Sequence, residues 1–457
     1  MKMNSIEVGR ITAAQRLERL PVCGYHRWLF LVIALAFFFD NIDLATMTFV
    51  LGSIKTEFGL SNVHAGMIGS ASFVGMAIGA VCSGMAADRF GRKPVFQISM
   101  VVWGAGSLLC ASASGPVELG VFRLLLGVGM GMELPLAQTL LSEFIPTARR
   151  GKYLALMDGN WPLAFITAGL LSYAVLAHHN WRVLFALEAI PALFLFVIRR
   201  YVPESPRWLE SQGRHAQADA VVGAVETSVM RRLKLDVLPP ISPASPDAQT
   251  QARGMRVIWS PSYRRRTVVV GTLWFFALLG FYGLNTWLGA LQQAAGAVVT
   301  QSVLFTVYIS LGGIPGFLAA AWAVERLGRK ATCVGTLVGG ACATYAFGQV
   351  LVTGAAPWSV YAAGASMQFF AFGMWAVLYA YTPELFPSRA RATGCGYASF
   401  CGRIGALLGP TLVGALVTWS TSGMVFAFGA ACFGVAAVCV WCFGVETRGV
   451  QLEAVSQ

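Results

Sequence analysis

The sequence predicts an all-α membrane protein, with twelve transmembrane helices in two six-helix bundles and both termini cytoplasmic. Three observations predict it. The chain is apolar almost throughout, its apolar runs recur at bilayer-crossing length, and its loop motifs appear twice in the same order. Of 457 residues, 56% are hydrophobic and only 12% charged, which places the chain among polytopic membrane proteins. Runs of about 20 apolar residues match a hydrocarbon core roughly 30 Å thick. They fall at 28–53, 64–86, 95–112, 118–140, 153–177, 182–201, 267–290, 301–324, 332–352, 357–381, 393–418 and 424–444.

Positive charge sets the expected orientation. With the N-terminus inside, the inner segments carry Arg89, Arg92, Lys93, Arg149, Arg150, Lys152, Arg264, Arg265, Arg266, Arg326, Arg329 and Lys330, whereas the outer loops hold only Lys55 and Arg182. The net charge of +12 is thus mostly a topology signal, and its dispersal over short loops argues against nucleic-acid binding. The opening "MKMNSIEVGRITAAQRLERL" lacks the apolar core of a cleavable signal peptide. The expected location is the plasma membrane, as in a bacterial inner membrane, with the chain acting as a monomer. The ten cysteines fall nearly all inside apolar spans and read as soft packing; "CVWC" (439–442) has no second pair or nearby histidine to make a metal or redox site. Neither a metal nor a cofactor is expected.

The repeat is visible in the loops. "ADRFGRKP" (87–94) returns as "VERLGRKA" (324–331), and "SEFIPTARRG" (142–151) as "PELFPSRARATG" (383–394). Asp88 recurs as Glu325, Glu143 as Glu384 and Pro146 as Pro387, so a six-span unit is used twice in one orientation. The expected division is an N-terminal segment (1–27), a first bundle (28–201), a linker (202–266) holding the Pro/Ser-rich "LPPISPASPDAQTQARG" (238–254), a second bundle (267–444) and a tail (445–457).

These motifs resemble the major facilitator superfamily over essentially the whole chain. "DRFGRKP", the glycines 127, 129 and 131 after Arg123, and "PESPRWL" (203–209) are similar to the branch of sugar porters and metabolite:proton symporters. "FFFDNIDLATMTFVL" (37–51) and "GRIGALLGP" (402–410) look most like aromatic-acid:proton symporters and niacin transporters. The resemblance implies alternating access between the two bundles. Physically, each loop ends one helix with an acid and starts the next with basic residues, so Asp88, Arg89, Arg92, Glu143, Arg150, Glu325, Arg326, Arg329 and Glu384 are candidate latches where the bundles meet. The same basic residues also serve the positive-inside rule.

Ionisable residues inside spans are functional candidates by default. The first bundle has Asp40, Asp43, Arg123, Glu133, Asp158 and Glu188; the second has Arg403 alone. Asp40 and Asp43 share a helix face, and two carboxylates this close in a poorly hydrated site do not ionise together readily, which suits proton coupling. Glu133 is the rival carrier, and a fixed pair of one aspartate with Arg123 is the structural alternative. Asp158 and Glu188 are expected nearer helix ends, in structural roles.

A guanidinium at mid-membrane costs about 2.5–3.5 kcal/mol on insertion scales. Arg403 must offset that by pairing with an internal acid or by receiving an anion. In the resembling organic-ion carriers a basic residue at this place goes with anionic substrates. Asn160 and Trp161 in "DGNWP", Tyr282 and Asn285 in "FYGLNTW", and Gln368, Phe372 and Trp375 on the tenth span each place an aromatic near an amide. Flat rings could stack on a flat substrate while amides fix a ring heteroatom. For any single residue, an aromatic stripe at helical spacing is more often packing or an interfacial belt. The expectation is a proton-coupled symporter importing a small organic anion of the aromatic-acid class, such as nicotinate. A sugar:proton symporter is the alternative and a drug efflux carrier the third reading. No nucleophile, metal or phosphate-loop motif favours an enzyme, and the uneven charge between halves does not suit a channel.

Overall fold

Turns made by glycine, proline and capping side chains cut the apolar chain into helices in the computed structural model, which describes residues 11–241, 254–353, 355–387 and 390–448. Most of the Pro/Ser-rich stretch and most of the tail lie outside the described residues. A short helix, α1 (Ala13–Glu18), precedes the first bundle. That bundle comprises α2 (Gly24–Glu57), α3 (Asn62–Phe90), α4 (Arg92–Ser112), α5 (Pro116–Phe144), the pair α6 (Thr147–Asp158) and α7 (Trp161–Leu176), and the pair α8 (Trp181–Glu188) and α9 (Leu195–Tyr201). Next come α10 (Pro206–Ser211), α11 (His215–Leu233) and α12 (Gly254–Ile258). The second bundle comprises α13 (Arg264–Ala294), the pair α14 (Val299–Ser310) and α15 (Gly313–Leu327), α16 (Arg329–Val352), α17 (Pro357–Glu384), α18 (Arg391–Trp419) and α19 (Ser422–Phe443). Counting each pair as one span, twelve are long and apolar enough to cross a bilayer.

The helices outrun the apolar stretches that mark them. The first runs Gly24–Glu57 where hydropathy marks 28–53, because helical hydrogen bonding continues through the headgroup region, where polar side chains are solvated. Among the described residues three spans are interrupted, between α6 and α7, between α8 and α9, and between α14 and α15. At the break between α6 and α7, Pro162 has no N–H to extend the helix, and Asn160 ties the gap to α2: Asn41 donates to its Oδ1 at 3.0 Å, and its own amide donates to the Ala34 carbonyl at 3.2 Å. The break between α14 and α15 falls in the eighth span, whose counterpart in the first bundle is the unbroken α3.

Within the first bundle, α5 meets α3 at backbone contact. A Cβ on Gly127 or Gly131 would lie 2.1 Å from the carbonyl oxygens of Ser72 and Met76, which explains the glycine series as helix packing. Between bundles, α2 packs on α13, α3 on α18 and α7 on α14. The tight contacts lie toward the ends remote from the termini. Ser70 and Thr411 hydroxyls are 2.9 Å apart, Asn62 donates to Thr418 at 3.3 Å, and a Cβ on Gly66 would meet the Pro410 carbonyl oxygen at 2.5 Å. These contacts seal the interface on that side.

Candidate transport cavity

By helix rise, the central cavity lies deeper than that seal, nearer the end that carries the termini. It holds about 70 Å³ of free volume. Its lining comes from both bundles: Phe37, Asp40, Asn41 and Leu44 of α2, Met76 of α3, Leu134 of α5, Asp158 of α6, Trp161 of α7, Tyr282 of α13, and Trp375 and Tyr379 of α17. The aromatic walls support one another. Tyr282 lies 6.4 Å from Trp161 and 6.2 Å from Trp375 by ring centroid, and Trp375 stacks on Tyr379 at 5.7 Å. The indole Nε1 atoms of Trp161 and Trp375 are buried without a hydrogen-bond partner. Toward the seal, a second space of about 10 Å³ shares Leu44, Trp161 and Tyr282 and adds Thr48, Phe73, Arg123, Asn285 and Thr286. It has room for about one water, so the pathway is closed above the aromatic layer.

Arg403 lies mid-way along α18 and is partly exposed. Among the described residues it makes no ion pair, yet its charge acts on Asp40, Tyr282 and Tyr379, all of which line the cavity. The structure therefore brings together Arg403, Asp40, Trp161, Tyr282 and Trp375. It sets the amides apart from them. Gln368 donates to Asn285 Oδ1 at 2.8 Å, and Asn285 donates to the Phe281 carbonyl at 2.9 Å, while Asn160 is occupied by Asn41 and Ala34. Phe372 packs among Phe165, Phe281 and Gly313, behind the wall.

The two aspartates of α2 have different surroundings despite their shared face. Asp43 accepts from Trp103 Nε1 at 3.1 Å and pairs with Arg123 at 3.4 Å, both sides fully buried. Arg123 also lies over the Phe185 ring at 5.6 Å, and Glu188 beside it hydrogen-bonds Thr46. Asp40 instead faces the cavity with Oδ1 unpartnered, under the fields of Glu133, Asp43 and Arg403. Both carboxyl oxygens of Glu133 are buried without partners. Asp158, expected near a helix end, is the last residue of α6, but that end lies inside the span Thr147–Leu176, so the carboxyl lines the cavity at 7% exposure.

At the terminal face each bundle holds its own charge cluster. Arg92 pairs with Asp88 at 3.0 Å and reaches Glu143 at 3.9 Å; Arg329 pairs with Glu325 at 3.2 Å and Glu384 at 3.0 Å. Arg89 and Arg326 stand outside these clusters, over the rings of Phe90 and Trp322. Two further acids complete the repeat. Glu204 accepts from the backbone N–H of Arg92 and Lys93, and Glu446 from those of Arg329 and Lys330, capping α4 and α16. Ser205 and Thr447, next in chain, bind Glu143 and Glu384. The turns beneath need glycine: Gly91 and Gly328 have φ of 103° and 99°, and a Cβ on either would strike the capping carboxylate. The only sequence signal for these acids was the recurrence of Glu-Ser (204–205) as Glu-Thr (446–447).

Outside the membrane spans, α1 clasps the linker helices. Arg16 binds Glu226 at 2.6 Å and Asp219 at 2.8 Å, Arg19 adds a contact to Glu226 at 2.8 Å, and Ala13 N–H donates to Glu210 at 2.7 Å. On the other side Glu18 accepts from Thr147 N–H at 2.8 Å and lies 3.7 Å from Arg150.

Comparison with known proteins identifies the family and the fold. The sequence profile described as "Sugar (and other) transporter" matches residues 29–457. The chain belongs to this transporter family of the major facilitator superfamily. It is 37% identical over 444 residues to the niacin transporter NiaP of Acinetobacter baylyi, covering 96% of this chain and 98% of the relative. It is 31% identical over 405 residues to a gallate transporter of Pseudomonas putida, covering 88% of each. The fold matches a partially occluded, inward-open structure of the Escherichia coli xylose transporter XylE with a TM-score of 0.73 at 21% identity, over 94% of this chain and all of that one. The protein is thus a multi-pass plasma-membrane transporter and not an enzyme.

Proposed function

We propose that this transporter is a proton-coupled symporter importing a small aromatic or heteroaromatic carboxylate, such as nicotinate, by alternating access. Arg403 carries the reading. A mid-membrane guanidinium without an ion pair among the described residues, beside a cavity walled by Trp161, Tyr282, Trp375 and Tyr379, suits an anion with a flat ring. A neutral sugar would call on amides to bind its hydroxyls, and the amide N–H groups of Asn160, Asn285 and Gln368 donate to other partners. Relatives described as niacin and gallate transporters support the same substrate class. With the termini cytoplasmic, as the loop charges imply, the sealed end is outer and the cavity belongs to an inward-facing state.

Asp40 is the proposed proton carrier, with Asp43 held by Arg123 and Glu133 close behind. Arg403 serves two carboxylates in turn. With the cavity empty, the Arg403 charge acts on Asp40; a bound substrate carboxylate takes that charge over, so anion and proton enter as a pair. The clusters around Arg92 and Arg329 are proposed latches that rearrange as the terminal face closes and opens. Titrating the purified protein with nicotinate, benzoate and xylose while following tryptophan fluorescence tests the substrate class, since two cavity walls are indoles. Saturable quenching by the acids and none by xylose is expected; the reverse pattern would place the protein with the sugar porters.

A further inference from the structure

The cavity has a second polar pole. Asp158 is the last residue of α6, immediately before the break at Gly159, and the break turns its carboxyl inward. It is 93% buried by its 7% exposure, its Oδ1 has no hydrogen-bond partner, and no described basic residue forms an ion pair with it. Gln138 stands beside the carboxyl. Tyr379 ties the two poles together, because both Asp158 and Arg403 act electrostatically on its ring hydroxyl. Arg403 and Asp158 nonetheless form no ion pair among the described residues: the carboxyl lines the aromatic-walled space, and the cation stands close enough to act on its Tyr282, Tyr379 and Asp40. The amides that could have read a ring heteroatom point elsewhere. Beside the unpartnered indole N–H groups of Trp161 and Trp375 in the wall, Asp158 is the carboxyl available for that task.

We infer that Asp158 is the specificity-determining residue for a ring nitrogen: its carboxyl, in the acid form, donates a hydrogen bond to the nitrogen of a pyridine-type carboxylate whose anionic end lies at Arg403. One proton lies between the Asp158 oxygen and the ring nitrogen, supplied by the solvent that protonates the carboxyl, and no covalent bond changes. A carbocyclic acid offers no acceptor there. It leaves the buried carboxyl unpaired, and sites built around a hydrogen bond reject analogues that lack it. This inference rests on the aromatic-carboxylate reading and adds the discrimination between heteroaromatic and carbocyclic acids.

The test is the ratio of benzoate to nicotinate dissociation constants, measured on wild type, Asp158→Asn and Asp158→Ala in detergent. Wild type is expected to bind nicotinate at least tenfold tighter than benzoate. Asp158→Ala should bring the ratio to within about twofold of one by weakening nicotinate alone. Asp158→Asn, whose amide N–H still donates, should retain part of the preference, a rescue that a purely structural role would not produce. If Asp158→Ala does not fold, Asp158→Asn carries the test through its ratio: a nicotinate preference reduced but still present supports donation to nitrogen, and a ratio unchanged from wild type overturns it. Loss of affinity for both acids in equal measure, or a wild type that binds both alike, overturns the inference and leaves the substrate class standing. A wild type that binds neither acid overturns the substrate class and this inference with it.

Discussion

Replacing Arg403 with alanine removes a cation whose field reaches Asp40, Tyr282 and Tyr379 but which forms no ion pair among the described residues. Two unit charges about 4 Å apart at an effective dielectric of about 20 interact by roughly 4 kcal/mol. Dehydrating the substrate carboxylate offsets part of that, and truncating one partner of a buried charge pair costs about 2–5 kcal/mol in measured cases. Because Arg403 is partly exposed, the lower part of the range applies. Arg403→Ala should therefore weaken nicotinate binding by about 2–3 kcal/mol, roughly 30- to 150-fold in Kd. Arg403→Lys keeps the charge and loses the planar fork, and should fall between. The assay is fluorescence titration with nicotinate and with its amide, nicotinamide, which fills the same ring space without the charge. Equal weakening of acid and amide would refute the reasoning and make Arg403 an internal partner of Asp40.

Three further outcomes are expected. Asp40→Asn cannot titrate and should abolish pH-driven accumulation while sparing substrate exchange; full accumulation by this variant would move the proton to Glu133. Gly91→Ala forces a side chain into φ 103° and against the Glu204 carboxylate, which should cost about 1–3 kcal/mol of stability, read as a lower Tm with cavity affinity unchanged; an unaltered Tm would contradict it. Burial alone would raise the Glu226 carboxyl, but hydrogen bonds from Arg16 and Arg19 outweigh it and hold the group below its usual value. Its stabilising contribution is then complete above the ordinary carboxylate range near about 4.3 and is lost as pH falls through the lowered value. Spin labels at Gln15 and Gln217 should give a narrow distance distribution at pH 7 that broadens in strong acid, and a distribution that stays narrow would show that other contacts hold α1.

Much of this architecture is legible in the sequence because membrane constraints write it there. Apolar length marks the spans, and loop charge at Asp88, Arg92, Glu325 and Arg329 marks the repeat. What is not legible depends on helix breaks and on tertiary pairing. Hydropathy treats 153–177 as one uninterrupted span with Asp158 near its edge. The helix actually starts at Thr147 and breaks beside Asp158, which moves that carboxyl into the cavity. An aromatic with a neighbouring amide looks like a binding pair on each helix, but whether Asn285 faces a ligand or Gln368 is decided by the distance between α13 and α17, and no local pattern encodes that. Asp40 and Asp43 share a helix face by spacing. Only the approach of α4 and α5, bringing Trp103 and Arg123 to Asp43, separates their surroundings.

The most direct test of anion and proton entering together through this cavity is uptake of labelled nicotinate into proteoliposomes under an imposed pH gradient, acid outside. Accumulation above the external concentration is expected, collapsing with a protonophore, competed by excess benzoate and untouched by excess xylose. Uptake that only equilibrates whatever the gradient, or that xylose inhibits and benzoate does not, would contradict it.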